Sequence, residues 1–185
     1  MNVLTRRSFV RALGAPTASL VTLVTLAALP RLASASTPAS RELSFDHLHT
    51  GERLTVEYFS SGVYVPDALA AVDHLLRDFR TEAVGRIDPG LLDVLHALAA
   101  RTGSGRPFEI ISGYRSPATN AMLHARSSGV ATKSLHMSGK AIDIRLGDVA
   151  LGALRAAALS LGEGGVGYYP KSNFVHVDTG RVRSW

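Results

Sequence analysis

Hydrophobic and polar positions alternate weakly in Arg41–Phe45 and again in Arg53–Phe59, on either side of Thr50-Gly51-Glu52. Two period-two segments around a glycine-containing turn predict a short β-hairpin. From Asp67 to Phe79 the period changes. Leu69, Val72, Leu75, Leu76 and Phe79 recur at helical spacing behind Pro66. Asp88-Pro89 starts a second helix as N-cap and first-turn proline; Leu91, Leu92, Leu95 and Leu98 form its stripe, and Gly103 ends it. Phe108–Ile111 reads as a strand running into Ser112-Gly113-Tyr114-Arg115, and Ser116-Pro117 caps a helix reaching about Arg126. Ser127–Leu135 is polar and glycine-containing, hence a loop. Lys140–Arg145 and Gly164–Tyr169 read as strands around an Ala- and Leu-rich helix, Asp148–Leu161, and Asn173–Asp178 and Val182–Trp185 close the chain in extended form. Helices come first and most strands later in this reading. The expected class is α+β, one domain with helices packed on a small, largely antiparallel sheet.

The opening 35 residues follow a different pattern. Arg6-Arg7-Ser8-Phe9-Val10 precedes an apolar run from about Ala18 to Leu29, and Ala33-Ser34-Ala35 supplies small residues at signal-peptidase spacing. The run is about a dozen residues, short of the roughly 20 that span a bilayer. The paired arginines match a twin-arginine export signal. Residues 1–35 are therefore expected to be a cleaved signal and 36–185 the mature domain, without stable membrane insertion and located in the periplasm or cell envelope.

Charge then changes its meaning. The net charge of +5 would suggest a nucleic-acid partner, yet Arg6, Arg7, Arg11 and Arg31 lie in the first 35 residues, which hold no acid. The remaining 150 residues carry only +1, so a nucleic-acid role loses its support. The chain has no cysteine, which excludes disulfides, thiolate metal sites and a cysteine nucleophile. Any metal must be held by His, Asp or Glu.

His136 and Asp143 lie seven residues apart with Gly139 between them. Alternation in Ala141–Arg145 puts Asp143 on the face opposite Ile142 and Ile144, and a carboxylate on a strand otherwise built for burial needs a partner. In Phe174-Val175-His176-Val177-Asp178, His176 and Asp178 share a face. Two His and one Asp reaching a common point would leave the fourth position of a tetrahedral Zn²⁺ open, as in catalytic zinc sites. From spacing alone, a histidine satisfied by a backbone carbonyl is the commoner outcome. His47, His49, His74, His96 and His124 show no ligand spacing with a second acid, and no serine sits in a nucleophile elbow. Tyr168, Tyr169 and Trp185 are candidates for a groove wall or for core.

Three ordered segments carry a resemblance. Ser112–Ser116, Ser134-Leu135-His136-Met137-Ser138-Gly139-Lys140-Ala141-Ile142-Asp143, and Gly167-Tyr168-Tyr169 with Phe174–Asp178 resemble the zinc peptidoglycan peptidases related to D-alanyl-D-alanine carboxypeptidases, nearest to their exported murein endopeptidase branch. The likeness extends over nearly all of Arg41–Trp185, including Leu48–Glu52 and the Arg77–Arg80 region. It implies a zinc metallopeptidase with His136, Asp143 and His176 as ligands and Arg115 as the cation for a substrate carboxylate or the developing oxyanion. It also implies a monomer acting on peptidoglycan peptide stems, cutting crosslinks such as those between two diaminopimelate residues. A D,D-carboxypeptidase, or a muropeptide-binding module retaining the metal but not catalysis, are the alternatives. Relatives often place an acid three residues, and a second histidine two residues, before the last ligand; here those positions are Asn173 and Phe174. Asp178 is the nearest replacement, as general base or as the acceptor that orients a histidine or Arg115.

Overall fold

The computed structural model describes residues 40–127 and 129–185. The export-signal reading of residues 1–35 lies outside them. Eight strands form one sheet in the order β3-β2-β1-β4-β5-β7-β6-β8. They are β1 (Arg41–His47), β2 (Arg53–Ser60), β3 (Val63–Tyr64), β4 (Phe108–Ser112), β5 (Ala141–Leu146), β6 (Gly165–Tyr169), β7 (Phe174–Asp178) and β8 (Arg183–Ser184). All neighbours pair antiparallel except β1 with β4 and β6 with β8. The class is α+β as expected, but the sheet is larger than expected and three strands precede the first helix.

The helices are α1 (Pro66–Leu75), α2 (Pro89–Thr102), α3 (Pro117–Arg126) and α4 (Leu151–Leu161). Leu91, Leu92, Leu95 and Leu98 of α2 join Val72 and Leu75 of α1 and Leu154 and Ala158 of α4 in the core. Against them lie Phe45, Ile110, Ile142, Ile144, Val175 and Val177 from the sheet. Each fully buried aliphatic chain contributes about 1.5–3 kcal/mol, so this single core is the main source of stability. Among the described residues, no helix is long and apolar enough to cross a membrane.

α1 ends at Leu75, four residues before its apolar periodicity does. Tertiary contacts override the pattern there. The buried Asp78 carboxylate accepts from the backbone N–H of Arg80 (3.0 Å) and of Ser116 (2.9 Å), pinning a turn against the start of α3. α2 starts and stops where its caps require: Asp88 accepts from the Gly90 N–H, and Gly103 is left-handed at φ 68°. The same Asp88 fastens two further segments. Its backbone N–H donates to Gly139 O (3.0 Å), and its second carboxylate oxygen accepts from the Thr179 hydroxyl (2.9 Å).

Because Ile142, Ile144, Val175 and Val177 turn one way into the core, Asp143, His176 and Asp178 must turn the other way. In β4 a bulge between Ile110 and Ser112 breaks the alternation, setting Ile110 opposite Ile144 and Ser112 opposite Asp143. The extra residue moves Ser112 to the polar face.

Candidate metal centre and active site

β5 and β7 are neighbours, and their register sets Asp143 directly opposite His176. The third residue, His136, comes from a 3₁₀ turn, Leu135–Ser138, that leads into β5. That turn ends at Gly139, which has φ 66° and whose α-carbon faces the Arg86 carbonyl so closely that a side chain there would overlap it. The left-handed glycine therefore both ends the turn and seats it against the chain before α2.

The three side chains meet. His136 Nε2 lies 3.2 Å from His176 Nδ1 and 3.3 Å from Asp143 Oδ1, and His176 Nδ1 lies 2.9 Å from the same oxygen. The outer ring nitrogens show which atoms carry protons. His136 Nδ1 donates to the Gly113 carbonyl at 2.7 Å, and His176 Nε2 donates to Asp178 Oδ2 at 3.0 Å. In the neutral imidazoles the inner nitrogens are then lone pairs. Three acceptor atoms facing one another, all on buried residues, repel unless a cation sits among them. Two of the three separations, 3.2 and 3.3 Å, match the roughly 3.3 Å between corners of a tetrahedron built on bonds of about 2.0–2.1 Å, so the donor set suits a small divalent cation.

The surroundings hold this arrangement. Burial opposes ionisation of Asp143, but His136 and His176 outweigh it and hold the carboxyl well below the usual range. Burial lowers the His176 pKa, and the neighbouring carboxylates of Asp143 and Asp178 reverse that to a net rise. Asp178 is 1% exposed. Its carboxylate accepts from His176, from both terminal nitrogens of Arg183 (3.0 and 2.7 Å), and from the N–H groups of Gly165 (3.0 Å) and Gly180 (2.8 Å). These donors overcome the burial penalty and keep it ionised well below the usual carboxylate range. It stands at the nitrogen of His176 that faces away from the donor triangle.

Arg115 is brought in by its backbone. Tyr114 N–H donates to Leu76 O (2.7 Å) and Arg115 N–H to His136 O (3.1 Å), so Ser112–Tyr114 shape the turn that delivers it. Its guanidinium is 3.6 Å from Asp143 Oδ2, and its buried Nε has no protein acceptor among the described residues. Burial lowers its pKa, with Asp143 partly countering.

The donor triangle opens on a cavity of about 220 Å³, bordered by Arg115, Lys133, Tyr169, Phe174, Arg183 and Trp185 among others. Asp143 is the only acidic side chain on its wall among the described residues. One flank is the loop after α3, held where Asn120 Nδ2 donates to the carbonyls of Ala131 and Thr132, both at 3.2 Å. The aromatic candidates divide: Tyr169 and Trp185 line the cavity, while Tyr168 packs against the core. His47, which sequence reasoning passed over, is buried on the other limb of the fold, with Nδ1 accepting from the backbone of His49 and Thr50 and with burial lowering its pKa. Asn173 is left-handed at φ 54°, and Phe174 stacks on Tyr169 at 4.5 Å.

Lone-pair donors of this kind, buried yet open on one side beside a guanidinium, suit a hydrolytic metallopeptidase. The family comparison reaches a peptidase independently: residues 35–185 match the model described as peptidoglycan L,D-endopeptidase MepK, and the chain belongs to that family. It is 49% identical over 156 residues to the peptidoglycan L,D-endopeptidase MepK of Escherichia coli K12, covering 84% of this chain and 86% of the relative. The probable peptidoglycan L,D-endopeptidase MepK of Haemophilus influenzae is 46% identical over 155 residues, covering 83% of each.

Proposed function

We propose that this protein is a zinc-dependent murein endopeptidase that hydrolyses amide bonds in the peptide crosslinks of peptidoglycan, with diaminopimelate–diaminopimelate links as the favoured substrate. The observation that carries the metal reading is the convergence of three lone-pair atoms at 2.9–3.3 Å in a pocket. His136, Asp143 and His176 would hold the ion. When bound, zinc supplies Lewis acidity for amide hydrolysis at neutral pH.

The protein's own groups do the rest. Asp178 keeps the proton on His176 Nε2 and so keeps Nδ1 available as a ligand, and the Gly113 carbonyl does the same for His136. This reading retains the orienting role for Asp178 and drops the base, because the carboxylate lies behind the imidazole with its oxygens already occupied. Hydrolysis adds a water oxygen to the amide carbon, which builds negative charge on the carbonyl oxygen, and then breaks the C–N bond as the leaving amine takes up a proton. The Arg115 guanidinium, on the cavity wall beside Asp143, is placed to receive that charge or a neighbouring carboxylate of the stem. One chain supplies every residue of the site, so a monomer suffices.

The test uses purified protein with defined crosslinked muropeptides, before and after chelation. Cleavage that chelator abolishes and zinc restores is expected. Metal binding without cleavage would assign a muropeptide-binding module instead, and release of a terminal D-alanine alone would assign a carboxypeptidase.

Residues 1–35 are proposed as a twin-arginine export signal and 36–185 as the mature periplasmic domain, in keeping with a family match that begins at residue 35. Replacing Arg6 and Arg7 together by lysine is expected to leave the precursor in the cytoplasm on fractionation. Normal appearance of the doubly substituted protein in the envelope would overturn this route.

A further inference from the structure

We infer that Tyr169 is a catalytic hydrogen-bond donor, its phenol O–H directed at the scissile carbonyl oxygen in the cavity that it lines together with the metal ligands. This inference rests on the peptidase reading above. The indole of Trp185 donates its Nε1–H to the Tyr169 oxygen at 2.8 Å. An indole nitrogen can only donate, so the phenol must be the acceptor in that bond and its own hydrogen is left to point elsewhere. Among the described residues, no protein atom accepts it. The ring is fixed on two sides, by the stacked Phe174 at 4.5 Å and by Trp185, and both rings border the cavity with Arg115.

The sheet is cut to accommodate the pair. Gly167 lies opposite His176 in the β6–β7 ladder, and a Cβ there would come within 2.8 Å of both the Tyr169 and Trp185 rings. Trp185 in turn sits 5.2 Å from the His176 ring. A missing side chain, a one-way hydrogen bond and a stacked neighbour together hold one hydroxyl in one orientation on the wall of the cavity onto which the donor triangle opens. A donor fixed in advance costs no reorganisation when charge develops, which is where such groups exert their effect. Tyr169 only donates a hydrogen bond; no proton is transferred in this step. Trp185 acts as a positioning residue.

The experiment compares wild type, Tyr169→Phe and Trp185→Phe. Tyr169→Phe is expected to lower kcat by about 10²–10³-fold, the loss found on removing one oxyanion donor, with KM and zinc content unchanged. A phosphinate analogue of the tetrahedral state should bind this variant more weakly by the same factor. Trp185→Phe should fall between the two. Trp185 is the only tryptophan, so its indole N–H gives a single NMR signal, readable in the metal-free protein. That signal should move upfield in Tyr169→Phe. Full activity in Tyr169→Phe, a loss confined to KM, or an unmoved indole signal would overturn the assignment. Should Tyr169→Phe not fold, full activity in Trp185→Phe would overturn the positioning and with it the fixed donor. A wild type that leaves crosslinked peptides whole would overturn the peptidase reading and this one together, whereas an active wild type matched by Tyr169→Phe overturns only this one.

Discussion

His136→Ala and His176→Ala are each expected to take the zinc content from one ion per chain to none, and muropeptide cleavage to background. Either change removes one of three donors and leaves the other two without the geometry for a tetrahedral site. Stability gives a second readout. Zinc at a thousand times its dissociation constant should stabilise wild type by about 4.1 kcal/mol and the variants by nothing. His47→Ala is the control: His47 is equally buried but outside the cavity, so it should lower the melting temperature and keep the metal. Elemental analysis and thermal unfolding with and without zinc check all three. Stoichiometric zinc in His176→Ala would show that the donor triangle is not the site.

Asp178→Asn should weaken zinc binding and the fold together. Asparagine cannot satisfy the two Arg183 nitrogens and His176 as an anion does. Losing the partner behind a metal-ligating histidine costs ~10–100-fold in affinity or activity. Breaking a buried ion pair costs ~3–5 kcal/mol, and the lower end applies because Arg183 is 29% exposed and water can replace part of the contact. A general base at this position would behave differently: zinc retained and the rate alone reduced by ~10²–10⁴-fold. Metal titration beside kinetics separates the two outcomes, and an unchanged zinc affinity would overturn the orienting role.

Local signals were the most legible part of the sequence. Asp88-Pro89, Gly103 and Ser116-Pro117 marked helix ends because caps act over three or four residues, within reach of the pattern itself. Strand alternation also sorted Asp143 and His176 away from Ile142 and Val177, and the two histidines and the aspartate of the candidate site do come together. What alternation could not give was depth along a face. It put Asp178 beside His176, but only the orientation of the imidazole decides that Asp178 stands behind the ring. Nor could it give long-range pairing. The parallel union of β1 with β4 joins segments some sixty residues apart, and the bulge that turns Ser112 to the polar face is imposed by β5, not by the sequence around it. The Tyr169–Trp185 bond was hidden for the same reason, since Gly167 reads as an ordinary strand glycine until both rings lie over it.

Asp88 has a consequence for how the molecule breathes. One residue caps α2, holds the carbonyl of Gly139 three residues after His136, and holds Thr179 three residues after His176. Fraying of the first turn of α2 therefore loosens both histidine-bearing segments in the same excursion. The two ligand arms are thereby tied to the same end of a helix buried in the core, which couples the opening of one to that of the other. An ion held between them leaves as slowly as those arms open, which ties the lifetime of the loaded enzyme to the native-state dynamics of a helix that touches no substrate.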